Sequence, residues 1–237
     1  NLGWKHLLYM DATLRGDQSS TLPTNNNVYV YPSFSGSFVF SELTKLGNLL
    51  PYGKLRMSWA QVGSDTDPYQ LGLVYTKSKF TYPGYTIGYI NNNTIPNKDL
   101  KPTRTNSFEI GIETKFLNNR MGLDITYYSQ KSKNQIMGMA SSWTSGYTYR
   151  LINAGEIDNK GLEIALNTRP IQTKDFSWDL NLNFSKNSNK VKRLVDDMDM
   201  FELEKASWLD VQVAAKVGEN FGSIVGPDFK RNDAGQI

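Results

Sequence analysis

The acidic residues are the first candidates for chemistry in this sequence. Glu109 and Glu113 form the most suggestive pair, because glycoside hydrolases work with two carboxyl groups about 5 to 9.5 Å apart. Both alternate with apolar residues in the segment 107–116, which predicts a strand. Four residues along a strand cover about 13 Å. The pair is therefore too widely spaced for hydrolysis, and we expect both residues to be polar groups on one strand face.

Metal and triad chemistry find little support. His6 is the only histidine, so an imidazole metal cluster is excluded and a Ser-His-Asp triad would have to use this residue. It falls in a strand predicted over residues 6–15, which favours a structural role. Asp196, Asp197 and Asp199 could offer oxygen ligands to calcium, but they lack the regular Asp-x-Asp-x-Asp-Gly spacing. We expect no catalysis, no cofactor and no metal.

Aromatic side chains are the stronger candidates for binding. They collect in two segments between predicted strands, and the first segment opens with the turn sequence Asp65-Thr66-Asp67-Pro68. Aromatic rings stack on sugars and also anchor protein interfaces, so both roles stay open. The residues expected to contact a substrate or a covering protein are Tyr69, Tyr75, Tyr82, Tyr85, Tyr89, Trp143, Tyr147 and Tyr149.

Two-residue alternation predicts the elements that position these groups. In residues 176–185 every even position is large and apolar and every odd one is polar, so the strand has two faces of opposite character. Residues 107–116 and 121–128 repeat the pattern around a tight turn at 118–120, which predicts a hairpin. Further strands are predicted at 6–15, 31–40, 54–59 and 162–167. The fold class is all-β and antiparallel.

A soluble β-sandwich and a transmembrane β-barrel both fit this alternation. The barrel is favoured by connections that alternate between short ones, at 118–120, 169–175 and 41–53, and long ones, at 16–30, 61–106, 130–159 and 186–237. A strand of ten residues is about 33 Å long and, tilted, spans about 23 Å, close to the apolar band of such barrels. Charged groups on the polar faces would suit a watery lumen.

Composition limits the other classes. The 237 residues are 39% hydrophobic, carry a net charge of +3 and contain no cysteine, which excludes disorder, disulfide scaffolds and thiolate sites. The charge is too small and too scattered for nucleic-acid binding. Apolar runs are too short for a spanning helix. Because the chain lacks an initiator methionine and a signal-like start, we expect it to be a piece of something longer.

Five strings occur in an order typical of one family. They are LPYGKLRMSWAQVG at 50–63, LKPTRTNSFEIG at 100–111, LDITYY at 123–128, INAGEIDNKGLE at 152–163 and DLNLNFS at 179–185. Together they resemble the SusC/RagA family of TonB-dependent outer-membrane transporters of Bacteroidetes.

The resemblance implies a 22-stranded barrel closed by a plug domain. Residues 1–237 would be an interior part of about seven strands, with extracellular loops at the four long connections and without the plug or the C-terminal strands. The implied function is active import of oligosaccharides across the outer membrane. A SusD-like lipoprotein would be the partner, and the TonB–ExbB–ExbD complex would supply energy through the plug. Peptide import is the alternative substrate class, and a soluble β-rich glycan-binding or adhesin module is the alternative function.

In this barrel the apolar strand faces would contact membrane lipid and the polar faces would line the lumen. The residues expected to face lipid are Phe108, Ile110, Ile112, Leu123, Ile125, Leu162, Ile164, Trp178, Leu180 and Leu182.

Overall fold

The structure is a computed structural model that describes residues 1–44, 47–80, 82–90, 93–195, 198–206 and 210–236. Its regular structure is almost entirely antiparallel β, as the alternation predicted. The exceptions in the described ranges are the short helix α1, Ser41–Thr44, a 3-10 turn at Trp143–Ser145 and one two-residue parallel pairing at Thr94–Ile95. In the described ranges, no helix combines the length and apolar character needed to cross a membrane.

Strands are numbered in chain order. Eight of them follow one another across a single antiparallel sheet in the order β1-β2-β3-β4-β8-β9-β10-β11. Their bounds are β1 Leu2–Trp4, β2 Leu8–Gln18, β3 Val28–Phe38, β4 Tyr52–Ser64, β8 Thr103–Phe116, β9 Met121–Ala140, β10 Tyr149–Gln172 and β11 Ser177–Arg193. All but β1 are long, which agrees with about seven predicted strands.

The remaining strands lie in the connections. β5 (Tyr75–Lys77) pairs with β6 (Gly88–Ile90), and β7 (Thr94–Ile95) runs parallel to the first residues of β10. After β11, a small sheet is formed by β12 (Met200–Lys205), β13 (Gln212–Lys216) and β14 (Ser223–Val225). Backbone hydrogen bonds between Val191 and residues Gly218 and Glu219 attach this sheet to the end of β11.

The long connections meet at one end of the main sheet, called here the loop end. They comprise residues 19–27, 65–102, 141–148 and the segment after β11, whereas the opposite turn end holds residues 39–51, 117–120 and 173–176. Left-handed backbone at Leu117, Asn118 and Asn119 closes the tight β8–β9 turn. The predicted alternation of long and short connections is thus present.

The predicted bounds of the long connections were too wide. Residues 130–140 and 149–159 belong to β9 and β10, so the connection predicted at 130–159 shrinks to residues 141–148. Likewise, β11 continues through residues 186–193. The physical reason is that alternation disappears beyond residue 128, where Ser129 to Lys133 are polar on both faces. A strand with water on both sides has no apolar face by which to recognise it.

Register divides the sheet into two faces. Residues directly opposite each other point to the same side, and one rung joins Leu55, Ile112, Ile125, Ile164 and Phe184. We call this side the apolar face; its large side chains are exposed or half-buried. The adjacent rung, on the polar face, joins Arg56, Gly111, Thr126, Glu163 and Ser185.

The buried apolar side chains lie at the loop end, not along the sheet. One cluster contains Leu22, Tyr29 and Leu100. The other contains Val191, Leu194, Phe201 and Ala215 and joins β11 to the small sheet. Neither face of the main sheet is covered by a second layer in the described residues. An exposed apolar face of this size is typical of a surface that contacts a membrane or another protein.

Candidate functional site

A group of ion pairs stands at the centre of the polar face. Arg56 of β4 reaches over β8 and binds the Asp124 carboxylate of β9 with both Nη atoms, at 2.7 and 2.8 Å. It also donates to the Thr126 hydroxyl. Gly111 lies beneath the guanidinium, and a Cβ there would come within 2.7 Å of the Arg56 Nε. A planar, bidentate contact of this kind fixes both side chains.

The two candidate glutamates are held by different cations. Glu113 pairs with Lys54 at 2.9 Å, and the Glu109 carboxylate is 3.9 Å from the Arg56 Nε. Both lie on the polar face, four residues apart along β8. The spacing of Glu109 and Glu113 along the strand agrees with polar groups of one strand face and not with a hydrolytic pair. Glu113 also lies opposite Asp124 in the register, and Lys54 and Arg56 hold these two carboxylates in ion pairs.

His6 lies in the turn between β1 and β2, not inside a strand as predicted. Lys5 and His6 both adopt left-handed backbone there, and the His6 residue is exposed. Two successive left-handed residues end the alternation that the prediction extended through position 6. Asp196 and Asp197 of the acidic run lie outside the described residues.

A row of amide side chains follows the polar face beside the ion pairs. Gln130, Asn159 and Asn189 are neighbours across β9, β10 and β11, with Asn159 Nδ2 3.5 Å from Gln130 Oε1. The Oδ1 atoms of Asn159 and Asn189 are buried and accept no hydrogen bond from the described residues. Asn181 and Asn183 continue the polar face of β11. The sequence signal nearest to this row is the alternation of asparagines in residues 179–185, and the row was not among the predicted sites.

The longest connection, residues 65–102, is held at its start by hydrogen bonds to the connection that follows β2. The Ser19 hydroxyl donates to the Asp65 carboxylate, and Thr21 Oγ1 donates to the same oxygen at 3.2 Å. These hydrogen bonds, Ser19 first, hold the pKa of Asp65 below its ordinary value. Asp65 directly follows β4, so its carboxylate ties the connection after β4 to the one after β2.

The same connection is fastened again at its end. The Asn153 side chain accepts a hydrogen bond from the Lys101 backbone N–H at 2.8 Å and donates to the Lys101 carbonyl at 2.7 Å. Next to it, Leu100 is fully buried in the loop-end cluster. Both ends of the connection therefore have fixed positions, and the residues between them project from two anchors.

Between the anchors, β5 and β6 form a two-stranded arm covered with exposed aromatic groups. Tyr69, Tyr75, Tyr82 and Tyr85 are exposed over most of their surface, and Tyr89 over almost half. Only Tyr82 and Tyr85 among them are in ring contact, with centroids 6.4 Å apart. Phe80, 84% exposed, belongs to this surface and was missed, although its aromatic type and its position in a loop could have identified it.

The second aromatic group occupies the β9–β10 connection. Trp143 begins the 3-10 turn, Tyr147 is half-buried and Tyr149 is the exposed first residue of β10. Tyr149 pairs with Thr94 of β7. The long connection therefore touches the β9–β10 hairpin directly, and the two predicted aromatic segments share one end of the sheet.

The residues expected to face lipid share one side. Register and alternation place all ten on the apolar face: Phe108, Ile110, Ile112, Leu123, Ile125, Leu162, Ile164, Trp178, Leu180 and Leu182. A bulge in β10 between Thr168 and Ile171 leaves the alternation of β11 intact. Their contact with lipid remains a prediction.

Known proteins share this sequence and architecture. The chain is 28% identical to TonB-dependent receptor P3 of Formosa agariphila over 229 residues, which is 92% of this chain and 22% of that protein. It is 29% identical to TonB-dependent receptor SusC of Bacteroides thetaiotaomicron over 199 residues, 80% of this chain and 20% of that protein. The chain thus spans about a fifth of these relatives.

Solved structures agree on the fold. The RagAB peptide importer in its closed-closed state matches 92% of this chain and 23% of its own, with a TM-score of 0.79 at 22% identity. The family model described as TonB dependent receptor-like, beta-barrel, matches residues 4–210. Matching from β1 into the segment after β12, and sharing the antiparallel sheet, the chain belongs to this TonB-dependent receptor beta-barrel family of outer-membrane proteins.

Proposed function

We propose that this chain forms part of the wall and outer loops of a TonB-dependent importer of oligosaccharides. The observation that carries the proposal is the sheet itself, whose exposed apolar face and ion-paired polar face share no covering layer in the described residues. Lipid would cover the first and a watery lumen the second. The chain would act without catalysis of its own.

The wall assignment accounts for the dimensions of the apolar face. From Phe108 to Phe116 it extends over nine residues of β8, or about 27 Å along the strand. At the usual tilt this corresponds to about 20 Å of membrane. A soluble glycan-binding or adhesin module would instead have to bury this face under a second layer, so the architecture favours the barrel.

The loop end would then face the outside of the cell. A SusD-like lipoprotein would cover it, with the exposed tyrosines of the β5–β6 arm as contact groups. TonB–ExbB–ExbD would act through a plug domain belonging to another part of the whole protein. These partners are proposed from the family, since the chain covers only about a fifth of its relatives.

An oligosaccharide is the substrate class that the side chains favour. The amide row of Gln130, Asn159 and Asn189 offers neutral donors and acceptors, which suit sugar hydroxyls. Aromatic rings at the loop end suit sugar faces. Peptide import is the competing substrate class, and the RagAB peptide importer has the same fold at this position.

Uptake by cells carrying the whole transporter tests this proposal. We expect replacement of residues 73–90 by a short Gly-Ser linker to leave the assembled barrel in the outer membrane and to reduce oligosaccharide uptake. Leu71 and Leu100 stay in place, so the loop-end cluster is preserved. The matched control changes Lys77 and Lys79 to serine and leaves the aromatic groups intact.

Three results would count against the proposal. Loss of barrel assembly without a separable uptake defect would show that the arm is structural. Unchanged uptake would show that the β5–β6 arm is not needed for transport. Growth on peptides but not on oligosaccharides, in cells that depend on this transporter, would replace the proposed substrate class with the competing one.

A further inference from the structure

The apolar face becomes basic where it continues toward the loop end. Successive side chains of the same strands keep pointing to opposite faces beyond Phe108, Tyr127, Leu162 and Phe184, although the apolar pattern ends there. The next basic positions on this side form what we call the outward belt: Arg104, Lys131, Lys133, Lys160, Lys186 and Lys190. All six are exposed.

Three lysines of the belt lie close together. Lys131 and Lys190 occupy the two strands flanking β10, both opposite Asp158, which places their backbones about 10 Å apart. Lys160 lies two residues beyond Asp158 on β10, so its backbone is about 7 Å from that of Asp158. Its neighbours on either side are Ser129 and Ser188. The arrangement therefore combines three ammonium groups, two hydroxyl groups and the Asp158 carboxylate on one surface, and the net charge of these groups is positive.

Most of this charge has no acidic partner. Glu156 pairs with Lys133 at 2.6 Å, and the Asp158 carboxylate lies 4.0 Å from the Nζ of Lys192 on the neighbouring strand β11. The other five belt residues make no ion pair with any described residue. Exposed lysines commonly lack partners, but five on one strip of a sheet create a strongly positive surface.

The position of the outward belt along the strands indicates which surroundings it would contact. Trp59 and Phe108 form one rung of the apolar face and Tyr127 lies in the adjacent rung; aromatic side chains of this kind mark the boundary between lipid and water. The belt begins at this boundary and continues toward the loop end. It lies on the side away from the ion pairs of the polar face, so neither the lumen nor its contents would reach it.

We propose that Lys131, Lys160 and Lys190 bind the phosphate-bearing headgroup of an outer-leaflet lipid. This inference rests on the proposed function, because it requires the apolar face to contact lipid and the loop end to face outward. Lysine stems extend along apolar surface while their ammonium groups reach the headgroups. Ammonium groups form charge-assisted hydrogen bonds with phosphate oxygens, and Ser129 and Ser188 would add hydroxyl donors.

Lipid retention by the whole purified transporter tests the proposal. The protein is mixed with equal amounts of phosphatidylglycerol and phosphatidylcholine in a zwitterionic detergent, and the lipids that stay bound are counted by native mass spectrometry. We expect the wild type to retain phosphatidylglycerol preferentially. The variant Lys131→Ser/Lys160→Ser/Lys190→Ser should weaken this retention about fivefold for each ammonium group removed.

Two further variants make the test specific. Arginine at the same three positions keeps the charge and should keep the lipid, which guards against a serine variant that fails to fold. The control Lys77→Ser/Lys79→Ser/Lys98→Ser removes the same charge from exposed loop positions and should retain lipid like the wild type. The proposal would be overturned if the belt serine variant retained as much phosphatidylglycerol as the wild type. It would also be overturned if the loop control lost as much lipid as the belt serine variant.

Two further measurements separate a lipid headgroup from free phosphate, and lipid binding from transport. Inorganic phosphate at the concentration of the lipid should leave the bound phosphatidylglycerol in place, and complete displacement would overturn the lipid assignment. Uptake by the belt variants should stay close to wild type. A failed lipid test with normal uptake would therefore remove this inference alone, whereas failed uptake in the arm experiment would remove the proposed function.

Discussion

Arg56 shows how a single side chain connects three strands of the wall. It starts on β4, passes over Gly111 of β8 and binds Asp124 of β9 at 2.7 Å. The two side chains are each about one-third exposed, at 31% and 33%. A half-buried bidentate pair of this kind contributes more than an exposed pair, because fewer water molecules compete for the charges.

Replacing Arg56 by methionine should lower the free energy of unfolding by about 1 to 2 kcal/mol, because Asp124 and Thr126 lose a charged donor. Denaturant unfolding of the detergent-solubilised barrel measures the change. The control is Arg15→Met, since the Arg15 side chain is 72% exposed and, among the described residues, pairs only with nearby Asp17. Equal losses for the two variants would contradict a special role for the Arg56 contact.

Asp65 should make the attachment of the long connection depend on pH. Its pKa is lowered in the folded protein, so its stabilising effect is complete above the unfolded value of about 4 and is lost as pH falls through the lowered folded value. Amide hydrogen exchange in residues 19–27 and 65–70 should rise in that acidic range. Asp65→Asn should raise exchange already at neutral pH and remove the acid dependence.

Asp67 supplies the control for this prediction. It is exposed two residues beyond Asp65 and makes no side-chain hydrogen bond with the described residues. Asp67→Asn should leave the exchange profile unchanged. If both variants loosen the connection equally, charge on the loop matters and the Ser19 contact does not.

Single residues were predictable as members of a face but not as partners. Alternation correctly placed Glu109 and Glu113 on one side, because the pattern is contained within their strand. The Arg56–Asp124 contact depends on the register between three strands, which one strand's pattern does not contain. The same limitation hid the row of Gln130, Asn159 and Asn189, whose members are remote in sequence and adjacent only after pairing.

The strands were predictable where one face is apolar and the other is polar. Residues 107–116, 121–128 and 162–167 all fall inside observed strands. The missing parts, such as residues 129–135 of β9, are polar on both sides of the strand. Backbone pairing continues there without an alternating pattern, so the connections were predicted too long.

The apolar face should respond to charge according to depth. Ile164 lies in the rung with Ile125 and Phe184, whereas Leu180 lies four residues nearer the turn end of β11. Ile164→Arg should cost about 2 to 4 kcal/mol near the membrane midplane, and Leu180→Arg about 1 kcal/mol or less. Folding of the whole protein into lipid vesicles, measured against denaturant, gives both values.

Asn183 provides the matched position on the other side of β11. It points to the polar face beside the rung of Phe184, so Asn183→Arg should cost little if that face lines a lumen. Equal penalties for Ile164→Arg and Asn183→Arg would contradict the assignment of the two faces. Equal penalties for Ile164→Arg and Leu180→Arg would contradict the depth assigned to them.

The main sheet has open edges at β1 and β11. Unpaired strand edges and an uncovered apolar face both promote association. Residues 1–237 produced alone should therefore aggregate or fail to insert, whereas the whole transporter forms a barrel that resists unfolding in detergent. Size-exclusion chromatography and heat-dependent gel mobility compare the two. A monodisperse, protease-resistant 237-residue product would contradict this prediction.

The buried clusters around Leu100 and Val191 lie at the loop end, beside the apolar face of the sheet and not beneath it. Under the proposed function, the stability of the sheet would depend on lipid and the stability of the loop-end clusters would depend on water. Urea acts in water and should first melt the loop-end clusters, which are packed like those of a small soluble protein. A change of acyl chain length should affect the sheet and leave those clusters intact. We therefore expect that the loop-end clusters and the main sheet of this chain can be destabilised independently of each other.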